Sequence, residues 1–141
     1  MPAVIAGYAR SPFTPAKKGE LARTRPDDIA ATVINGLIEE TGVDPSLIED
    51  LIVGTAFPEA EQGFNVARMI TFLTGLPETV PGVTINRFCG SSMQAIHDAV
   101  GRISMGAGDA FIAGGIESMT RIPMTGYNPC LLYTSDAADD Y

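Results

Sequence analysis

The sequence predicts an α/β protein built on a mostly parallel sheet with helices on both faces, and three observations predict it. Four short apolar runs, residues 4–9, 51–54, 80–85 and 110–114, are continuous and not alternating, the pattern of strands buried on both faces. Between them lie segments of helical apolar spacing, residues 26–41, 66–73 and 90–105, and strands that alternate with helices make parallel sheets. Proline or glycine punctuates the junctions, as at Pro12, Pro26, Gly42, Pro45, Gly75 and Gly106.

Residues 4–9 read as a buried first strand that breaks at Arg10-Ser11-Pro12, with loop following over 15–25. Pro26, Asp27 and Asp28 open the first helix, because proline is preorganised for the first helical position and carboxylates favour the positive end. Ile29, Val33 and Leu37, with Ile34 and Ile38 alongside, form a stripe expected to face the sheet. Gly42 ends that helix, and Asp44-Pro45 turns the chain. Residues 51–54 are the second strand, and a polar, glycine-containing loop leads to a helix over 66–73 closed by Gly75. Residues 80–85 are the third strand. Met93, Ile96, Val100 and Ile103 recur at helical spacing through 90–105, Gly106-Ala107-Gly108 ends that helix, and 110–114 is the fourth strand. A dinucleotide-binding turn would place such glycines after a strand and before a helix, the reverse of their order here.

A hydrophobic fraction of 45% and a charged fraction of 18% over 141 residues suit one domain with one moderate core. The net charge of −8 and the scatter of the nine Lys and Arg residues disfavour nucleic acid or an anionic membrane surface as a partner. Nothing near Met1 has the order of a secretory signal, and no run approaches the ~20 apolar residues of a membrane span, so a cytoplasmic location is expected. After Asn128-Pro129 the chain loses all period and carries three acids, Asp136, Asp139 and Asp140. Read back into codons, Cys130-Leu131-Leu132-Tyr133-Thr134-Ser135-Asp136-Ala137-Ala138-Asp139 resembles the translation of a transposon-end sequencing adapter. Residues 1–129 are therefore expected to be native and 130–141 a foreign tail, the other reading being an ordinary acidic terminus. The native part then holds one cysteine and one histidine. That excludes an intramolecular disulfide, fits a reducing compartment, and falls short of the four ligands of a structural zinc site.

The segment Val83-Thr84-Ile85-Asn86-Arg87-Phe88-Cys89-Gly90-Ser91-Ser92-Met93 delivers Cys89 from a strand end onto a helix start. Free backbone N–H groups and about half a positive charge at a helix start favour a thiolate, and acyl transfer through a thioester follows from it. A free cysteine is also commonly a small buried hydrophobe, and spacing alone leaves both readings open. His97 lies eight residues on, about 12 Å along a helix, beyond the roughly 3 Å reach of proton transfer, and reads as a surface or packing residue. Ser91 and Ser92 have no neighbouring base and suit first-turn hydrogen bonding. Gly90 leaves room for close approach. Arg87 is not assigned a catalytic role, and Phe88 is expected to restrict water at the sulfur. Glu117 and Arg121 are four apart and would form a local pair of about 0.2–0.5 kcal/mol if their segment is helical.

The run around Cys89, together with Gly114-Gly115-Ile116-Glu117-Ser118-Met119-Thr120-Arg121-Ile122-Pro123-Met124, Arg10-Ser11-Pro12-Phe13 and Glu61-Gln62-Gly63-Phe64-Asn65-Val66-Ala67-Arg68, resembles the thiolase family over about residues 3–128. The resemblance implies two similar βαβαβαββ halves packed together, of which this truncated chain covers most of the first and the opening of its loop region. It implies Cys89 as the nucleophile that carries the acyl thioester, with its own backbone N–H as an oxyanion donor. Met119 resembles the position lining the acyl pocket, ordinary core packing being the alternative. The activating histidine, a second cysteine and an asparagine-containing loop would lie in the other half, so this chain alone is expected to be inactive. Within the family the pattern is that of acetyl-CoA acyltransferases, which implies thiolytic cleavage of 3-ketoacyl-CoA in fatty-acid breakdown. Acyl-CoA and CoA would be the partners, with no cofactor beyond CoA as substrate, in a homodimer or homotetramer. The alternatives are an acetoacetyl-CoA-forming thiolase and a noncatalytic thiolase-like acyl-CoA-binding module. A decarboxylating ketoacyl synthase shares the fold but typically carries a different sequence around its cysteine.

Overall fold

Three of the four continuous apolar runs become strands. In a computed structural model, described over residues 2–128, β1 is Asp50–Gly54, β2 is Gly82–Ile85 and β3 is Phe111–Gly115. All are parallel, in the order β2-β1-β3. The helices between them are α1 (Pro26–Thr41), α2 (Val66–Thr71) and α3 (Ser91–Ser104). The central strand β1 shows why its sequence does not alternate. Leu51 and Val53 join a core with Ala30, Ala31, Ile34, Val66, Ala67 and Ile70 on one face, while Ile52 meets Ala95 and Ala99 on the other. Leu51 and Ile52 are both 0% exposed, and a fully buried aliphatic side chain contributes about 1.5–3 kcal/mol. The predicted α/β class, a parallel sheet covered on both faces, is the class observed.

α1 has the predicted bounds. Pro26 and the acids Asp27 and Asp28 occupy its first turn, and Gly42 at φ 65° ends it with its N–H donating to the Ile38 carbonyl. Its buried face differs from the predicted stripe. Ile34 is buried as expected, together with Ala30 and Ala31, while Ile29, Val33, Leu37 and Ile38 are half-buried, because α1 packs chiefly on α2, where small side chains permit close approach. α2 stops at Thr71, two residues short of the prediction, and the chain winds on through turns in which Leu73 N–H donates to the Ile70 carbonyl and Gly75 N–H to Asn35 Oδ1 on α1.

Residues 4–9, predicted as the first strand, form none. Val4, Ile5 and Tyr8 are 78–86% exposed, and the run lies beside α1, where a Cβ on Gly7 would come within 2.4 Å of Thr41 Cγ2 and 3.3 Å of Leu37 Cδ1. An apolar run becomes a strand only by hydrogen-bonding to a neighbour, and this one has no ladder partner among the described residues. α3 meets the sheet through Ala95 and Ala99, so that Met93, Ile96 and Val100 of its apolar stripe turn outward and are 40–61% exposed. Its far end is tied to the start of β1 by an ion pair between Arg102 and the buried Asp50, with the Arg102 guanidinium 6.0 Å from the Phe111 ring centre. Gly106 at φ 73° closes α3 as predicted. Among the described residues no helix is long and apolar enough to cross a membrane. The boundary expected after residue 129 and the tail 130–141 lie outside the described residues.

Candidate functional site

Because the strands are parallel and in register, with Gly54 opposite both Ile85 and Gly115, they end level on one rim. The chain leaves β2 there, makes a tight turn over residues 86–90 and enters α3 at Ser91. Phe88 holds φ 47°, a left-handed conformation uncommon for a bulky residue. Two side chains brace it. Asn86 Oδ1 accepts from the Phe88 N–H at 2.9 Å while Asn86 Nδ2 donates to the Ala56 carbonyl at 3.0 Å. Ser91 Oγ accepts from the Arg87 N–H at 2.8 Å and donates to the Phe88 carbonyl at 2.6 Å. Cys89 follows, exposed and free of any disulfide, immediately before Gly90 at the helix cap. It is not a buried filler. The rim itself makes room for this mouth: a Cβ on Gly54 would lie 2.4 Å from the Ser91 carbonyl carbon, and one on Gly115 would lie 2.8 Å from Ser92 Cβ.

A second set of contacts joins the loops after β1 and β3. Glu117 accepts from the Ala56 N–H at 2.8 Å, from Gln62 Nε2 at 2.7 Å and from Thr55 Oγ1 at 3.4 Å. Gln62 is 0% exposed, and its two Nε2 protons are shared among Glu117, Thr55 Oγ1 and the Phe57 carbonyl, the last two each at 3.0 Å, while its Oε1 accepts from the Ser118 N–H at 2.7 Å. The predicted local pair of Glu117 with Arg121 does not form: residues 116–118 belong to no helix, and the Glu117 carboxylate is turned to the loop after β1. Arg121 instead clasps Glu61 with two nitrogens, and Arg25 reaches Glu61 at 3.3 Å and Asp27 at 2.7 Å. The Arg121 hydrogen bonds hold the Glu61 carboxyl below its ordinary value of 4.5 against an opposing effect of burial, and the charges of Arg121 and Arg25 act in the same direction as those bonds.

The remaining predicted residues separate into those on the turn and those away from it. Met119 is half-buried and lines a cleft of about 610 Å³ with Lys17, Thr120, Arg121, Met124 and Tyr127. Cys89 is not among its lining residues, so the described chain does not unite the two in one cavity. His97 is exposed on α3. Arg87 directs Nη1 to Gln94 Oε1 at 2.5 Å. Phe88 is 71% exposed, so the water-excluding wall expected of it is not formed: in this turn its ring stands in solvent. Sequence reasoning missed Gln62, Asn86 and the pair Gly54 and Gly115. The glycines ending two apolar runs were the available signal, since a strand end without a side chain marks a close approach.

With this geometry established, comparison with known proteins is direct. A family model described as Thiolase, N-terminal domain, matches residues 3–136. The 3-ketoacyl-CoA thiolase of Bacillus subtilis (strain 168) is 48% identical over 141 residues, 99% of this chain and 36% of that protein. The 3-ketoacyl-CoA thiolase of Saccharophagus degradans is 46% identical over 132 residues, 91% of this chain and 34% of that protein. That of Idiomarina loihiensis is 46% identical over 123 residues, 86% of this chain and 32% of that protein. The chain thus spans about a third of the length of the curated relatives it matches. Since the matched residues take in all three strands, α3 and the Cys89 turn, the chain belongs to the thiolase family, in its N-terminal domain.

Proposed function

We propose that this chain is the N-terminal portion of a thiolase whose complete form moves an acyl group between 3-ketoacyl-CoA and CoA through a thioester on Cys89. The observation that carries the reading is an exposed thiol at the mouth of a 14-residue helix, on the rim where three parallel strands end. The Cys89 thiolate attacks the 3-keto carbonyl carbon. The bond between C2 and C3 breaks, and its electron pair leaves on C2 of acetyl-CoA, which takes a proton. A CoA thiolate then attacks the thioester carbonyl and returns the sulfur to Cys89. Backbone donors that steady the developing oxyanion typically contribute about 2.7–4 kcal/mol each, and the Cys89 N–H is the local donor we assign. Met119 is assigned to the acyl side of the pocket. His97, exposed and eight residues along α3, is not the base that activates the thiol, so the activating groups belong to the rest of the complete protein and this chain alone is inactive. The enzyme so read works in the cytoplasm as a homo-oligomer and needs no cofactor beyond CoA.

The test is to incubate the complete protein from the uninterrupted gene with a 3-ketoacyl-CoA and map the mass of its peptides. One acyl adduct on Cys89, lost in Cys89→Ser, is the expected result. An unmodified Cys89 in folded protein sinks the reading and leaves a noncatalytic acyl-CoA-binding module. Relative rates with acetoacetyl-CoA and with longer 3-ketoacyl-CoA separate the acetoacetyl-CoA-forming alternative.

A further inference from the structure

We infer that Ser91 is a positioning residue, whose hydroxyl locks the turn that aims Cys89; the inference rests on the reading of Cys89 as the nucleophile. Ser91 is 3% exposed, and it stands at the first position of α3, where a serine ordinarily needs no partner from the preceding strand exit. Here its oxygen spans the peptide before Cys89, accepting from the Arg87 N–H at 2.8 Å and donating to the Phe88 carbonyl at 2.6 Å. One hydroxyl proton and its lone pairs are both engaged. The Phe88 carbonyl keeps a second donor, the Ser91 N–H at 3.1 Å, but the hydroxyl is the partner seen for the Arg87 N–H. The peptide it spans is the one that carries the left-handed φ of 47° at Phe88. A phenylalanine stays in that region only when its surroundings over-determine it.

The Ser91 backbone cannot drift to compensate, because it sits on Gly54 with no room for even a methyl group between them. The hydroxyl therefore links a fixed point, the rim of the sheet, to the residue that directly precedes Cys89. Loss of the hydroxyl frees Phe88 to return to negative φ. That reverses the local course of the chain one residue before the sulfur and swings the thiol off the rim, while the thiol itself stays exposed and chemically intact. Acyl transfer needs the sulfur held in line with a large bound substrate, whereas a small alkylating reagent reaches an exposed thiol from many directions. The two reactions should part company.

The experiment compares, in the complete protein, single-turnover acylation of Cys89 by acetoacetyl-CoA with its alkylation by iodoacetamide at alkaline pH, read by peptide mass, with circular dichroism reporting on the fold. Ser91→Ala should acylate roughly 10²-fold more slowly with alkylation held within about twofold. Ser91→Ala acylating at the wild-type rate, or an equal loss in both reactions, would overturn the inference. Should Ser91→Ala fail to fold, Asn86→Ala releases the other brace on Phe88 and must show the same split; wild-type behaviour there overturns it. Wild-type protein that forms no adduct at all marks the failure of the nucleophile reading, an outcome distinct from these and one that removes the inference with it.

Discussion

Gly54→Ala is the sharpest test of how the sheet sets the reactive turn. An added Cβ would lie 2.4 Å from the Ser91 carbonyl carbon, 2.6 Å from Ser91 Cβ and 2.6 Å from the Ser92 nitrogen. Ordinary contact begins at 3.4 Å, so the start of α3 must retreat by about 1 Å. Two of the three clashing atoms are backbone, and no rotamer change relieves them. Overpacking of this kind costs about 1–3 kcal/mol, and a displacement of about 1 Å at a reacting group costs up to roughly 10²-fold in rate. The assay is acyl-adduct formation on Cys89 in the complete protein, run beside a urea melt. Gly36→Ala is the matched control: Gly36 lies within α1 with nothing inside 4 Å of its Cβ position, so the same substitution there should stabilise by about 0.5–1 kcal/mol and leave adduct formation unchanged. A Gly54→Ala protein that acylates at the wild-type rate would refute the claim that the close approach of β1 to α3 positions the sulfur.

Two further outcomes follow from the network behind the rim. Gln62→Ala removes the Gln62 Oε1 acceptor of the part-buried Ser118 N–H and leaves the Phe57 carbonyl with the Glu59 N–H alone, and should lower stability by about 1–3 kcal/mol, seen as a lower urea midpoint and faster hydrogen exchange at Ser118. The Glu61 carboxyl is held low chiefly by its hydrogen bonds from Arg121, so it binds its proton less readily folded than unfolded. The stability it contributes is present above the ordinary carboxylate value and is lost as pH falls through the lower folded value. Between pH 5 and pH 3 the urea midpoint should fall more steeply in wild type than in Glu61→Gln, and equal slopes would contradict the pairing.

What could be read in advance was what depends on neighbours in sequence. Pro26 with Asp27 and Asp28, and Gly42 after Thr41, mark both ends of α1 through local chemistry, and both ends fall where predicted. The Cys89 turn was legible for the same reason, since a strand end running into a helix start is a local event. Residues 4–9 misled because their composition suits a strand, whereas a strand also needs an adjacent edge, and no local signal says whether one is present. Glu117 and Arg121 misled because spacing of four matters only on a helix. The partners each took, Gln62 and Glu61, lie more than fifty positions away in the sequence. Gln62, between Glu61 and Gly63, reads as a solvated loop amide, and only the folding of the β1 and β3 loops over one another encloses it.

The level ending of the three parallel strands has a consequence for how such a protein can change. Segments on this rim are strung between fixed posts, and their lengths and side chains can be rewritten without disturbing the ladder that supports them. A lineage starting from this scaffold is free to explore new tenants at the opening while its foundation stays as it is.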